Sequence, residues 1–74
     1  MTDKLEEYRY LIDEADNEIV GWLRYRQSVA RLIKIYKKEH NLEPKDSDRE
    51  IEIISRYQSD LGEKGQAIAK VILE

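Results

Sequence analysis

The chain has 74 residues, 39% of them charged, a net charge of −3 at pH 7 and no cysteine. Its length predicts one domain over residues 1–74 whose core is marginal alone, so assembly with a second chain is expected. The composition argues against a general nucleic-acid binder, a disulfide or thiolate metal site and a membrane-spanning segment. The N-terminus carries no apolar signal region, which predicts a cytoplasmic protein.

One long amphipathic helix is predicted for the first half of the chain. Its start is indicated by a capping box of Asp3 and Glu6. It runs to about Glu39, where Asn41 and Pro44 predict a stop, and it is roughly 50 Å long. The apolar residues recur at alternating spacings of three and four, and we call them the apolar stripe: Leu5, Tyr8, Ile12, Ala15, Ile19, Trp22, Val29, Ile33 and Tyr36.

Two shorter helices are predicted for the second half, which gives an all-α fold of three helices. A second capping box, with Ser47 as the cap and Glu50 three residues later, begins helix two. Gly62 ends helix two as a left-handed cap, and helix three runs from about Glu63. The expected inward residues are Ile51, Ile54, Tyr57 and Leu61 on helix two, and Ala67, Ile68, Val71 and Ile72 on helix three.

Two cations interrupt the apolar face of helix one. Arg26 falls on the apolar stripe and Lys37 lies on its flank, eleven residues later, which is close to three helical turns. An unpaired charge on a buried face is costly, so these cations either meet acidic partners or bind an anionic ligand. For Arg26 the alternatives are an acid across a helix interface and a carboxylate or phosphate ligand. For Lys37 the alternative is a solvated lysine.

Arg9 lies seventeen residues before Arg26, roughly 25 Å along the helix, and cannot share a pocket with it in one chain. An antiparallel partner helix that crosses near position 20 would bring Arg9 between Arg26 and Lys37. Gly21 lies almost at that point, and close backbone approach is a reason to accept a mid-helix glycine, which costs about 1 kcal/mol relative to alanine. A tolerated glycine is the alternative.

The start of helix two holds a second group of candidate residues. Glu50 is suited to the first helical turn, whereas Arg49 is mildly unfavourable there, which is weak evidence for a site. Asp46 is a turn residue by default. The single histidine, His40, has no neighbouring cysteine or histidine ligands, so a metal site is not expected.

Two ordered sets of residues carry a resemblance to a known family. The first is Arg9, Ile12, Asp13, Asp16, Ile19, Val20, Leu23, Arg26, Ala30 and Lys37; the second is Asp46, Ser47, Asp48, Arg49 and Glu50, continued by Ile53, Ile54, Ser55, Arg56 and Tyr57. Together they resemble the all-helical (AroQ-type) chorismate mutases over nearly the whole chain. The resemblance implies an intertwined antiparallel helical homodimer with two active sites, in the shikimate pathway of aromatic amino acid biosynthesis.

The resemblance also implies a reaction and a role for each candidate residue. Arg26 and the Arg9 of a second chain would bind the two carboxylates of chorismate, and Lys37 would face a carboxylate and the ether oxygen. Glu50 and Asp46 would hold the ring hydroxyl, and Arg49 would support the carboxylate side. The implied reaction is the rearrangement of chorismate to prephenate, without a cofactor or covalent intermediate, and Lys37, Arg26 and Glu50 are the expected catalytic residues.

One feature departs from many members of the family. A glutamine late in helix three makes a second contact to the ether oxygen in those members, and this chain stops at Glu74, before that position. The stretch 56–62 with its short following helix is more similar to a short subclass that is slow alone and is activated by DAHP synthase. A chain that is truncated at this end is equally compatible with the sequence. Two alternative functions also remain open: an isochorismate–pyruvate lyase of the same fold, and a helical dimer or adaptor without chemistry.

Overall fold

The computed structural model describes residues 3–73, and all of its regular structure is helical. The helices are α1 (Lys4–Glu39), α2 (Ser47–Leu61) and α3 (Glu63–Leu73). The chain divides into two compact units, Met1–Leu42, which contains α1, and Glu43–Glu74, which contains α2 and α3. The predicted all-α fold of one long and two short helices is therefore confirmed. Within residues 3–73, no helix combines the length and apolarity that crossing a membrane requires.

Helix α1 begins and ends where the sequence predicts. Asp3 is the N-cap, although its carboxylate accepts a hydrogen bond from the amide of Leu5 rather than from that of Glu6, the partner a capping box requires. At the other end Asn41 adopts a positive φ of 55°. The amide of Leu42 bonds to the Lys37 carbonyl at 2.8 Å, which completes a Schellman-type stop.

The cap of α2 differs from the prediction by one residue. Asp46, rather than Ser47, is the N-cap, and its carboxylate accepts a hydrogen bond from the amide of Arg49 at 3.1 Å. Ser47 is the first residue of the helix itself. Aspartate and serine are almost equally good caps, so composition alone does not decide between adjacent candidates. The predicted end at Gly62 is confirmed, and its φ of 75° favours glycine.

Helices α2 and α3 pack through small residues. Gly65 and Ala69 are the buried residues of α3. A Cβ atom at Gly65 would overlap the carbonyl oxygen of Tyr57 and lie 2.8 Å from the Cβ of Leu61, so only glycine allows this approach.

The predicted inward faces of the short helices are only partly correct within this unit. Ile54 and Tyr57 of α2 and Ile72 of α3 are partly buried, together with Ile53. The remaining predicted residues are exposed, because the contact face of α3 follows Gly65, Ala69 and Ile72, at spacings of four and three. These exposed residues are Ile51, Leu61, Ala67, Ile68 and Val71.

Candidate active site

Three charged side chains differ from all the others in residues 3–73. Arg26, Lys37 and Glu50 are partly buried, whereas every other aspartate, glutamate, lysine and arginine in this range is exposed. Charged side chains are normally solvated, and removing them from water has a cost unless a partner or ligand compensates it. Arg26, Lys37 and Glu50 are also the three residues that the resemblance implies to be catalytic, and that role stays a prediction.

The two partly buried cations lie on α1, and the helix itself fixes their relation. Arg26 and Lys37 are eleven residues apart, so they point in nearly the same direction and their Cα atoms are roughly 16 Å apart along the axis. Two long cationic side chains at this separation suit a small ligand with more than one anionic group. Arg9 is exposed near the opposite end of α1 and does not join them within one chain.

The first turn of α2 brings Asp46, Arg49 and Glu50 together, but it changes the interpretation of two of them. The carboxylate of Asp46 is engaged as the helix cap, so a structural role accounts for this residue. Arg49 pairs with Glu52 at 3.4 Å in an exposed i, i+3 contact. This pair gives Arg49 a local partner, so the position of this arginine in the first turn no longer indicates a site. Glu50 alone in this turn is partly buried.

The last turn of α1 contains a contact that the sequence analysis did not identify. The Nδ1 atom of His40 lies 2.9 Å from the carbonyl oxygen of Tyr36. The imidazole also stacks on the Tyr36 ring, with centroids 4.0 Å apart and an interplanar angle of 22°. The two residues flank Lys37. Their i, i+4 spacing, at which helical side chains meet, is the signal that was available in the sequence.

The surface of α1 is unusually apolar for an exposed helix. The described part of α1 has no buried residue, and Trp22 is 65% exposed. Around the middle of the helix a shallow open groove is lined by Glu18, Gly21, Trp22 and Tyr25. A Cβ atom at Gly21 would meet nothing within 4 Å. Exposed apolar surface of this extent is typical of a face that another chain covers.

No cluster of acidic, histidine or cysteine residues with metal-binding geometry occurs within residues 3–73. What the described groups offer is two cations and one carboxylate in partly desolvated positions. Each of these groups can form charge-assisted hydrogen bonds with a ligand.

Comparison with known proteins identifies one family. The profile of the family described as chorismate mutase type II matches residues 8–73. This range contains all six predicted site residues and each of the three helices apart from the first turn of α1. Among curated proteins and solved structures, no significant match to the chain was found.

Proposed function

Because the chain belongs to the chorismate mutase type II family, and is therefore an isomerase that rearranges chorismate to prephenate, we propose that Arg26, Lys37 and Glu50 are its catalytic residues. The observation that carries this assignment is their partial burial, which no other charged residue in 3–73 shares. Chorismate is a dicarboxylate with a ring hydroxyl and an ether oxygen. Two cations and one carboxylate match these groups in charge and hydrogen-bonding capacity.

In the proposed mechanism the protein neither forms a covalent bond with the substrate nor transfers a proton to it. The substrate rearranges within itself, so catalysis consists of holding it in a folded conformation and stabilising charge in the transition state. Arg26 binds a carboxylate through its planar guanidinium. Lys37 lies against a carboxylate and the ether oxygen, which gains negative charge as its C–O bond breaks. Glu50 accepts a hydrogen bond from the ring hydroxyl.

Asp46 and Arg49 receive smaller roles in this proposal. The capping bond of Asp46 to the Arg49 amide holds the turn that presents Glu50, and a second carboxylate oxygen stays available to the ring hydroxyl. Arg49 supports the carboxylate side through its charge. Its exposed contact with Glu52 costs little to break, because surface ion pairs contribute about 0–1 kcal/mol.

We further propose that the active protein is an antiparallel homodimer in which Arg9 of one chain completes the site of the other. Two observations support it. The helix α1 that carries the cations has no buried residue in its described part, and Ala69 is the one apolar side chain in 3–73 that is fully buried. A chain with so little core does not offset the entropy cost of folding by itself. The open groove at Gly21 leaves room for a crossing helix.

A direct assay tests the reaction. Chorismate is added, its absorbance is followed, and the product is identified as prephenate; formation of pyruvate from isochorismate instead would indicate the lyase. Binding of a bicyclic transition-state mimic with two carboxylates tests the site independently. Lys37→Ala should weaken mimic binding and turnover, whereas Lys34→Ala, an exposed cation one turn earlier, should change neither. Equal effects of the two variants would contradict the assignment.

The proposed partner and location follow from the resemblance to the short subclass. The proposal that a DAHP synthase activates this protein rests on the similarity of the stretch 56–62 to that subclass. Measuring kcat/KM with and without the cognate synthase tests this proposal, and an unchanged value would reject it. The cytoplasm is the proposed location, as expected for an enzyme of the shikimate pathway, and a fluorescent fusion would test it.

A further inference from the structure

We propose that His40 is a positioning residue for Lys37, acting through a side-chain clasp on the last turn of α1. The clasp consists of the hydrogen bond from His40 Nδ1 to the Tyr36 carbonyl oxygen, 2.9 Å long, and the stacking of the two rings at 4.0 Å. Lys37 lies inside the turn that this contact closes. The inference rests on the proposed function, since that function gives Lys37 its role at the ether oxygen.

The direction of the hydrogen bond follows from the chemistry of the two groups. A carbonyl oxygen only accepts, so the imidazole nitrogen donates. The same carbonyl also accepts the backbone amide of His40 at 3.0 Å. His40 thus holds Tyr36 through its backbone, its ring nitrogen and its ring face, and these three contacts restrain the turn from residue 36 to residue 40.

The clasp is not needed to end the helix. The backbone already provides the stop, because Asn41 has a positive φ and Leu42 bonds to the Lys37 carbonyl at 2.8 Å. Free carbonyls at a helix end are otherwise satisfied by water. Terminal turns fray easily, and an additional side-chain contact reduces the excursions of the residues within the turn.

The placement of Lys37 matters more for the reaction than for the fold. Its proposed contact with the ether oxygen strengthens as the C–O bond breaks, so a misplaced ammonium lowers kcat and leaves KM nearly unchanged. A shift of about 1 Å in a catalytic group can cost roughly 100-fold in rate. Loss of the clasp loosens the turn rather than displacing it, and we expect a fall in kcat of about tenfold.

Two substitutions separate the parts of the clasp. His40→Ala removes the ring and the donor together, and it should lower kcat about tenfold with KM within about twofold of wild type. His40→Gln keeps a side-chain N–H donor without the ring and should recover part of the rate. Lys34→Ala, an exposed residue on the same helix, is the matched control and should leave kcat unchanged.

A double-substitution cycle tests whether His40 acts through Lys37. In a Lys37→Gln background, where an amide keeps a donor and a measurable rate, His40→Ala should cause no further loss of kcat. Hydrogen exchange provides a second readout. His40→Ala should speed exchange of the amides of Asn41 and Leu42, and leave the amide of Gly65 unchanged as a report on global unfolding.

The outcomes distinguish this proposal from the function on which it rests. If Lys37→Gln itself leaves kcat unchanged, the catalytic assignment of Lys37 fails and the positioning role fails with it. If Lys37→Gln impairs kcat but His40→Ala does not, the positioning role alone is overturned. An additive loss in the double variant, or faster exchange at Gly65 as well, would also overturn it, because either result indicates a general structural role for His40.

Discussion

Replacing Gly65 by alanine should destabilise the protein even though alanine is the better helix former. The added Cβ would overlap the carbonyl oxygen of Tyr57 and lie 2.8 Å from the Cβ of Leu61. Overpacking of this kind costs about 1–3 kcal/mol, and the upper end applies because the main obstacle is backbone, which cannot rotate away. Helix propensity returns about 1 kcal/mol. The expected net loss in the free energy of unfolding is therefore about 2 kcal/mol.

The measurement is a urea titration followed by far-UV circular dichroism. Wild type and variant are compared at one protein concentration, because the proposed homodimer would make the stability depend on concentration. With a slope of about 1–3 kcal/mol per molar urea, the midpoint should fall by roughly 0.7–2 M. Lys64→Ala, an exposed neighbour in the same turn, is the control and should stay within about 0.5 kcal/mol. A Gly65→Ala protein as stable as wild type would refute the close contact of α2 with α3.

Three further predictions concern the site and its support. Arg26→Ala should reduce kcat/KM by about 100- to 1000-fold while sedimentation shows an unchanged dimer. If the variant unfolds and the wild type shows no turnover, Arg26 instead forms a structural ion pair. The Arg9→Ala and Arg26→Ala homodimers should each be inactive. Their co-refolded heterodimer should regain one of two sites, which is about half of the wild-type activity by site counting. A verified heterodimer with no recovery would exclude a role for Arg9 in the site of the other chain. Asp46→Ala should lower the free energy of unfolding by about 1 kcal/mol and Ser47→Ala by much less, whereas the reverse order would restore Ser47 as the cap.

The boundaries of the helices could be predicted from the sequence because their signals are local. Asp3, Asn41 and Gly62 each satisfy a requirement of a single turn, and each is found at the predicted end of its helix. The predicted cap of α2 was wrong by one residue, because Asp46 and Ser47 can accept the capping hydrogen bond nearly equally well. Local signals therefore locate a helix end well and choose poorly between two adjacent residues of similar capping strength.

The packing faces could not be predicted as well, because hydrophobic periodicity gives weight to large residues. The contact between α2 and α3 is made instead by Gly65 and Ala69, whose small size allows close approach. Ile68 and Val71, which the pattern placed inside, are 45% and 69% exposed. In a sequence, a contact between small residues is visible only as positions without large apolar side chains, and this is a weak signal.

The residues proposed to be catalytic carry a clear signal in the sequence. Arg26 and Lys37 stand out because a cation on an apolar face conflicts with the pattern around it, and their partial burial agrees with that conflict. Arg49 was selected by a similar mismatch, but its pairing with Glu52 shows that a local contact can account for such a mismatch. The role of Arg9 stays a prediction, since it depends on a second chain.

The distribution of apolar surface connects the proposed assembly to the proposed chemistry. Helix α1 exposes large side chains such as Trp22 at 65% and Leu32 at 64%, and the same helix carries Arg26 and Lys37. If a second chain covers this surface, it also removes water from around both cations, which strengthens their interaction with a dicarboxylate. The free energy gained by burying this apolar surface then also keeps the two cations in a poorly solvated position before substrate binds. In this account a lone chain lacks both the Arg9 of a partner and the low-dielectric surroundings in which its own cations act. Dissociation should therefore abolish activity without any change in the sequence of the site.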